Sequence, residues 1–507
     1  MTDDLEPEPE LEVAPGQLPG PLPEPLPASK TPGRSRAAVL VGARIVAGTV
    51  GVAVAAIALA AAALLPIPRH TVTPPSVLVT PVATAQERVC AGPLLRLGDE
   101  SGAAAAAASS VGRPAVRFAQ SAGKAQTAPL SATENTTGLA PQVLTLPAGS
   151  STAARPLLAG GQSQTVSSED LVGFAAAECT EATSDSWLVG GATDTGRTTL
   201  LTLSNPSAVP ATVTLTIYSE TGAVSAAGTD GIVVPASSQR VFSLAGFAPN
   251  TVSPVVRVQS RGGQVVANLQ QSTVRTLEPG GVDIVGAASG PSVSSVIPGM
   301  VVANSDAVVA RQGEPGFADL GSVIRLFVPG DKAAKARVSV VPENGTAEIK
   351  AVAVDVPAGL VTDVPLDTLA DGSYTVTVTS DIPLVAGSRV STVGSTGQSD
   401  FAWLAAAETL DRKALVEVAP GPSPQLHLAN SGRTSATVKI ATKGQPDATV
   451  TIPAGQTVTY PVVASSAYTV SGFSTLSLAV SYTGDAQVSA YTVSSSAPAS
   501  LPIRIYP

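Results

Sequence analysis

Chemistry needs particular side chains at particular spacings, and this chain offers few of them. Its two histidines, His70 and His427, stand far apart, which removes most metal centres and most imidazole-based proton transfer. Both read as surface or loop residues. No Gly-x-Ser-x-Gly elbow, Ser-x-x-Lys box followed by Lys-Thr-Gly, Walker loop or His-Glu-x-x-His occurs. Aspartates beside glycines, at Asp194-Thr195-Gly196, Asp230-Gly231 and Asp371-Gly372, come singly, whereas a calcium loop needs oxygen ligands at alternating positions. They read as turns. No catalytic, cofactor-binding or metal-ligating residue is assigned.

One chemistry survives this search. Two carboxyl groups distant in the chain and about 5 to 10 Å apart in space can cleave a glycosidic bond. Such sites lean on aromatic platforms, and the chain has only Trp187 and Trp403. Both stand in apolar segments and read as packing residues. The two cysteines, Cys90 and Cys179, have no nearby His and no Cys-x-x-Cys partner, so a disulfide in an oxidising compartment is expected rather than a reactive thiol. Closing that loop of about 90 residues would stabilise by roughly 4 to 5 kcal/mol in the chain-entropy model.

The elements around these residues can be read from composition and periodicity. The chain has 507 residues, too many for one core. Charged residues are 13% and aromatics 3%, while Gly (46) and Pro (43) are abundant, which favours sheets with many turns over helical bundles. The net charge of -9 is thinly spread, and no Lys/Arg cluster interleaved with aromatics follows the apolar segment. Nucleic-acid binding is disfavoured.

Residues 1–36 are rich in Pro and Glu and read as a disordered tail. Ile45 to Leu65 supplies 21 residues without a charge, about 31 Å as a helix and enough for a single span. Lys30, Arg34, Arg36 and Arg44 precede it, and the first acid after it is Glu87. The positive-inside bias then keeps the N-terminus cytoplasmic and the rest outside. Ala43, Ala47, Gly51 and Ala55 recur every fourth residue, a small ridge suited to self-association of the helix in lipid.

Beyond the span one pattern repeats. "LLTLSNPSAVPATVTLTIY" (200–218), "IRLFVPGDKAAKARVSVV" (324–341) and "LHLANSGRTSATVKIAT" (426–442) each bring a strand to a turn-rich corner, from which a second strand departs. A second marker follows: Val234-Pro235-Ala236-Ser237, Val356-Pro357-Ala358-Gly359 and Ile452-Pro453-Ala454-Gly455. Proline with Gly or Ser two places on suits a turn that ends a strand. Val265-Val266-Ala267, Leu384-Val385-Ala386 and Val488-Ser489-Ala490 read as closing strands, and "SWLVGG" (186), "SVIPGM" (295) and "FAWLAA" (401) as opening ones. Leu146-Pro147-Ala148-Gly149 and "GFAAAEC" (173–179) point to a fourth, divergent copy before them. Corner residues vary between copies, so the corner is expected to keep a turn and no fixed side-chain chemistry. Units of about 105 to 115 residues match an immunoglobulin-like sandwich better than propeller blades of about 40 to 50. Beads on a string are expected rather than a closed ring.

Taken in order, the tail and apolar start, "VCAGP" (89–93), "SWLVGG" (186–191), "LTLSNPSAVPATVTL" (201–215), "VVPASS" (233–238) and "VVANLQQS" (265–272) resemble an actinobacterial membrane-anchored or secreted family catalogued as a domain of unknown function. That family's first cysteine motif is expected to read Cys-Pro-Gly, whereas here Cys90 is followed by Ala91-Gly92-Pro93. The resemblance implies no catalytic residues, an envelope location, and gene neighbourhoods similar to those holding a large membrane glycosyltransferase.

The expectation is an all-β chain: tandem immunoglobulin-like β-sandwich units after one N-terminal transmembrane helix and a disordered tail. The boundaries are 1–36 tail, 37–66 helix, then units at 72–185, 186–295, 296–400 and 401–507. The expected role is a non-catalytic spacer or binding scaffold on the outer side of the cell membrane. Expected partners are the membrane itself, an envelope glycopolymer or a membrane protein, and a second copy through the helix. The rivals are an accessory subunit of a membrane glycosyltransferase and a carbohydrate-active enzyme using an Asp/Glu pair.

Overall fold

Along Ala211–Ser219 every second side chain is buried, with Val213, Leu215 and Ile217 turned inward and threonines between them. Such alternation makes one face of a strand apolar and drives it onto a second sheet. The computed structural model is built almost wholly of strands paired in this way. It describes residues 48–57, 77–79, 85–98, 108–132, 134, 139–148, 156–345, 348–366, 369–495 and 503–505. These fall in two units, Met1–Ser76 with Tyr506–Pro507, and Val77–Ile505.

In the first unit residues 48–57 are helical with exposed side chains. The expected tail 1–36, most of the expected helix 37–66, and His70 lie outside the described residues. Among the described residues no helix is long and apolar enough to cross a membrane.

The second unit holds four copies of one two-sheet repeat. In the last copy the strands, in chain order, are Ala414–Val418, Gln425–Ala429, Ala436–Thr442, Ala448–Ile452, Thr457–Pro461, Ser466–Ser471, Ser477–Gly484 and Gln487–Thr492. Strands one, six, three and four form one sheet, and five, two, seven and eight the other. Val438, Ile440, Leu426, Leu428, Val470 and Val480 fill the space between them. The copy from Asp185–Val189 to Glu278–Val285 has the same order. So does the copy from Ser292–Val302 to Ser399–Ala405, where Gly372–Val393 runs unbroken and supplies strands six and seven.

The divergent first copy keeps strands one, six and three (Gln86–Val89, Gln142–Leu146, Gln126–Pro129) and eight, seven and two (Val172–Glu178, Leu158–Ser167, Ala115–Gln120). Cys90 and Cys179 are joined across it, as expected.

Three differences from the expectation have physical causes. An immunoglobulin domain pairs its first strand with the second and its last with the sixth. Here strand one pairs with six and strand seven with two, so the sandwich stands but those end strands have exchanged sheets. "FAWLAA" closes the third copy instead of opening the fourth, because Ser399–Ala405 pairs with Gly372–Val393. The beads on a string are absent. The eighth strands of the four copies, Val172–Glu178, Glu278–Val285, Ser399–Ala405 and Gln487–Thr492, are neighbours in cyclic order, the last beside the first, and form a closed ring about one axis. The chain ends of the ring also meet, with Val77–Val79 antiparallel to Ile503–Ile505.

Candidate functional site

The axis is where chemistry gathers. Asp400 is fully buried there. Its carboxylate accepts N–H bonds from Phe174 (3.1 Å), Val282 (3.2 Å) and Val488 (3.2 Å), one from each of the other copies. A side chain on Gly173 or Gly281, both at positive φ, would come within 2.7 Å of Asp400 Oδ1, so the close approach requires glycine. Asp283, also fully buried, accepts from the Trp403 amide (2.7 Å) and from Ser489 Oγ (2.9 Å), which in turn accepts from the Ala176 amide (2.9 Å). Burial pushes both carboxyls well above the usual range, against the pull of their N–H donors. These groups bind the repeats to one another and present nothing to solvent.

At the C-terminal ends of the four axial strands lies a cleft of about 820 Å³, lined by segments 177–186, 264–268, 284–290, 403–409 and 490–495. All four copies contribute to it. It contains Glu178, Glu181 and Glu408 among serines, threonines and amides. Burial raises Glu178 to about 7, opposed by the Arg88 guanidinium and the Ser494 amide. Glu181 is raised for the same reason. Arg88, fully buried beside them, donates to Glu178 Oε1 (3.4 Å), Cys179 O (3.2 Å), Ser494 Oγ (3.1 Å) and Ser495 O (2.7 Å). Convergent polar groups with shifted carboxyls in a concavity of this kind are the usual mark of a binding site. What this set can do is accept and donate hydrogen bonds to a polar ligand. Sequence reasoning missed it, although Ala-Ala-Ala-Glu occurs twice, at 175–178 and 405–408.

Trp403 touches the cleft but is buried, donating its indole N–H to Gln271 Oε1 at 2.6 Å. Trp187 is buried against Tyr218 and Phe327. Both tryptophans pack, as expected, and neither offers a sugar platform.

His427 is no surface residue. It is fully buried in a second strand, with Nδ1 against Glu343 Oε2 and Nε2 2.7 Å from Ser481 Oγ. With Glu343 as acceptor, Nδ1 carries the proton and Nε2 accepts from the serine hydroxyl. The order Ser–His–Glu is that of a hydrolytic triad. Ser481 is 2% exposed and Glu343 also takes bonds from the Gly299 amide and the Thr375 and Thr459 hydroxyls, so the set is sealed. It ties the third copy to the fourth.

The corner asparagines are the other revision. Asn205 Nδ2 donates to the carbonyls of Val209 (2.8 Å), Val234 (3.1 Å) and Pro235 (3.1 Å), while Oδ1 accepts from the Ser207 amide (3.0 Å). Asn430 repeats this with Thr434, Ile452, Pro453 and Gly432. The corner has fixed side-chain chemistry after all, and it is structural. Asp230 accepts from the Thr214 hydroxyl, and Asp371 from the amides of Asn304 and Ser305 at the start of the helix Ser305–Gln312, as turn residues would. Among the described residues no group of His, Cys, Asp and Glu is placed to hold a metal ion.

A family model described as a family of unknown function, DUF5719, matches residues 131–463. The chain belongs to that family. Comparison with curated proteins gives no match.

Proposed function

We propose that this protein is a non-catalytic binding scaffold of the cell envelope, held by one N-terminal span with its tail in the cytoplasm and its β repeats outside. The observation that carries the reading is the use of the axial carboxylates. Asp400, Asp283 and the Glu343–His427 pair are occupied by bonds between repeats, which makes the ring rigid and leaves the cleft as a preformed polar recess. The disulfide supports an oxidising compartment. The apolar run Ile45–Leu65 with its preceding arginines supports the anchor and its direction. The likeness to an actinobacterial envelope family with immunoglobulin-like or fibronectin type III-like units belongs to the same proposal. The occupant of the cleft is an envelope glycopolymer or a membrane protein.

Incubating the full chain in mild detergent with a panel of envelope polysaccharides tests this. The expected result is binding without cleavage. Specific turnover abolished by Glu178→Gln or Glu408→Gln would show a carbohydrate-active enzyme instead. A second reading, accessory subunit of a membrane glycosyltransferase, predicts co-purification of the two in mild detergent. External protease on intact cells reads the topology: sparing of residues 77–505 would overturn the orientation. Exchange of Gly51 and Ala55 for leucine reads self-association through the helix.

A further inference from the structure

In three repeats the second strand is hydrogen-bonded on both sides, with the seventh strand on one edge and the fifth antiparallel on the other. In the first repeat the second strand, Ala115–Gln120, pairs with Leu158–Ser167 alone among the described residues. Of the segment between its third and sixth strands, Ser131–Ala132 joins the next repeat, parallel to Ser238–Ser243. The sister repeats show what a fifth strand does, since Val364 and Val458 of their fifth strands pack in or against the cores.

The Ser121 amide bonds to Leu157 O. Antiparallel alternation therefore turns the N–H and C=O of Val116, Phe118 and Gln120 away from the ladder, toward the open edge. The neighbouring third strand, Gln126–Pro129, is also an edge, but Pro129 lies at one of its outward positions, which blunts it. The second strand carries no such guard. Between the two edges lies a cavity of about 470 Å³ bounded by Arg113, Pro114 and Val116 on one side and Thr127, Ala128 and Pro129 on the other. The strand and its flanks are basic in an acidic protein. Arg113, Arg117 and Lys124 are exposed, Arg117 also lies in the field of Glu417, and residues 101–133 contain no Asp or Glu. Phe118 is 38% exposed beside them.

We infer that the first repeat accepts a donated strand: an extended, acidic segment of a partner protein pairs antiparallel along Ala115–Gln120, with apolar residues at every second position, one of which enters the cavity beside Val116. Main-chain bonds to Val116, Phe118 and Gln120 supply affinity, and the arginines select acidic side chains. The inference is independent of the cleft at the axis and of the scaffold reading.

The test uses the full chain in mild detergent and a labelled, end-capped peptide, Thr-Val-Glu-Val-Asp-Val-Thr. Expected are saturable binding by fluorescence anisotropy and slowed hydrogen exchange at the amides of Val116, Phe118 and Gln120. The same peptide N-methylated at alternate residues should bind at least about tenfold more weakly, because it cannot complete the ladder. Arg113→Glu with Arg117→Glu should also weaken binding by about tenfold, and restore binding to a peptide with Lys in place of Glu and Asp. Binding indifferent to N-methylation would overturn the proposal whether or not the arginine variant folds. So would amides already protected in the free monomer, which would mean that the chain covers its own edge. Protection that grows only with protein concentration would identify a second copy as occupant and equally overturn it.

Discussion

Asn205 and Asn430 show how much one side chain can hold. Each lies at the end of a second strand and bonds to carbonyls of two separate turns, so the corner and the Pro-Ala turn of each repeat are clasped together. Removing such a buried amide orphans several main-chain groups at once. Asn430→Ala is expected to lower unfolding free energy by about 2 kcal/mol, measured by urea denaturation, with Asn205→Ala close to it. A loss below about 0.5 kcal/mol for both would mean that water replaces the clasp. The third repeat has Val328 at this corner, held by a bridge to Ala358 instead.

At the scale of the element, the axial strands differ from ordinary closing strands because side chains satisfy their outer edges. Both oxygens of Asp400 accept from main-chain amides, which cannot reverse their polarity. An amide in its place sets N–H against N–H. Asp283 takes a hydroxyl as well as main-chain amides, and the hydroxyl of Ser489 can turn to accept from a new donor and donate to Ala176 O. Asp400→Asn should therefore cost about 2 to 4 kcal/mol and Asp283→Asn under about 1, by the same denaturation. Asp283 has a folded-state value raised above its ordinary 3.8. Its stabilising contribution is present below that ordinary value and is lost as pH rises toward the raised one. Asp283→Asn should thus compare better with the natural protein as pH increases. A constant difference from pH 4 to 8 would contradict the raised value.

The strands themselves were legible in the sequence for a local reason. Period-two alternation along Ala211–Ser219 and the Pro-Ala turns that end strands at Val234, Val356 and Ile452 are carried by adjacent residues. Ser237, Gly359 and Gly455 adopt positive φ there, which is why two of the three copies hold Gly in the fourth place. The partners of Asp400 lie 226, 118 and 88 residues away, and no window of sequence contains them. Separation along the chain also hid His427, whose own strand gave no sign of Glu343, 84 residues away, or of Ser481, 54 away. Cys90 and Cys179 could be paired because elimination left no other partner.

For the whole molecule, the ring makes the fourth repeat necessary to the first. Glu178 takes the Ser494 amide, Ala176 donates to Ser489, and Phe174 packs beside Tyr482. Ending the chain after Gly484 removes the eighth strand with the Ser489 and Ser494 bonds, while leaving Tyr482 and both cysteines in place. The truncated protein is expected to keep its disulfide by thiol counting, yet to be cut at repeat boundaries by a protease dose that the full chain survives. Equal resistance would mean that each repeat stands alone.

Arg88 and Ser494 are 406 residues apart, and the two strands that zip the ends lie farther apart still. A ribosome makes one long before the other. Until Ser494 and Ser495 are made the guanidinium of Arg88 waits without its last acceptors, and Asp400 waits for Val488 after its own repeat is complete. Closure of the ring therefore waits for residues 487–505, and any factor that shelters the unfinished ring must hold on until they emerge.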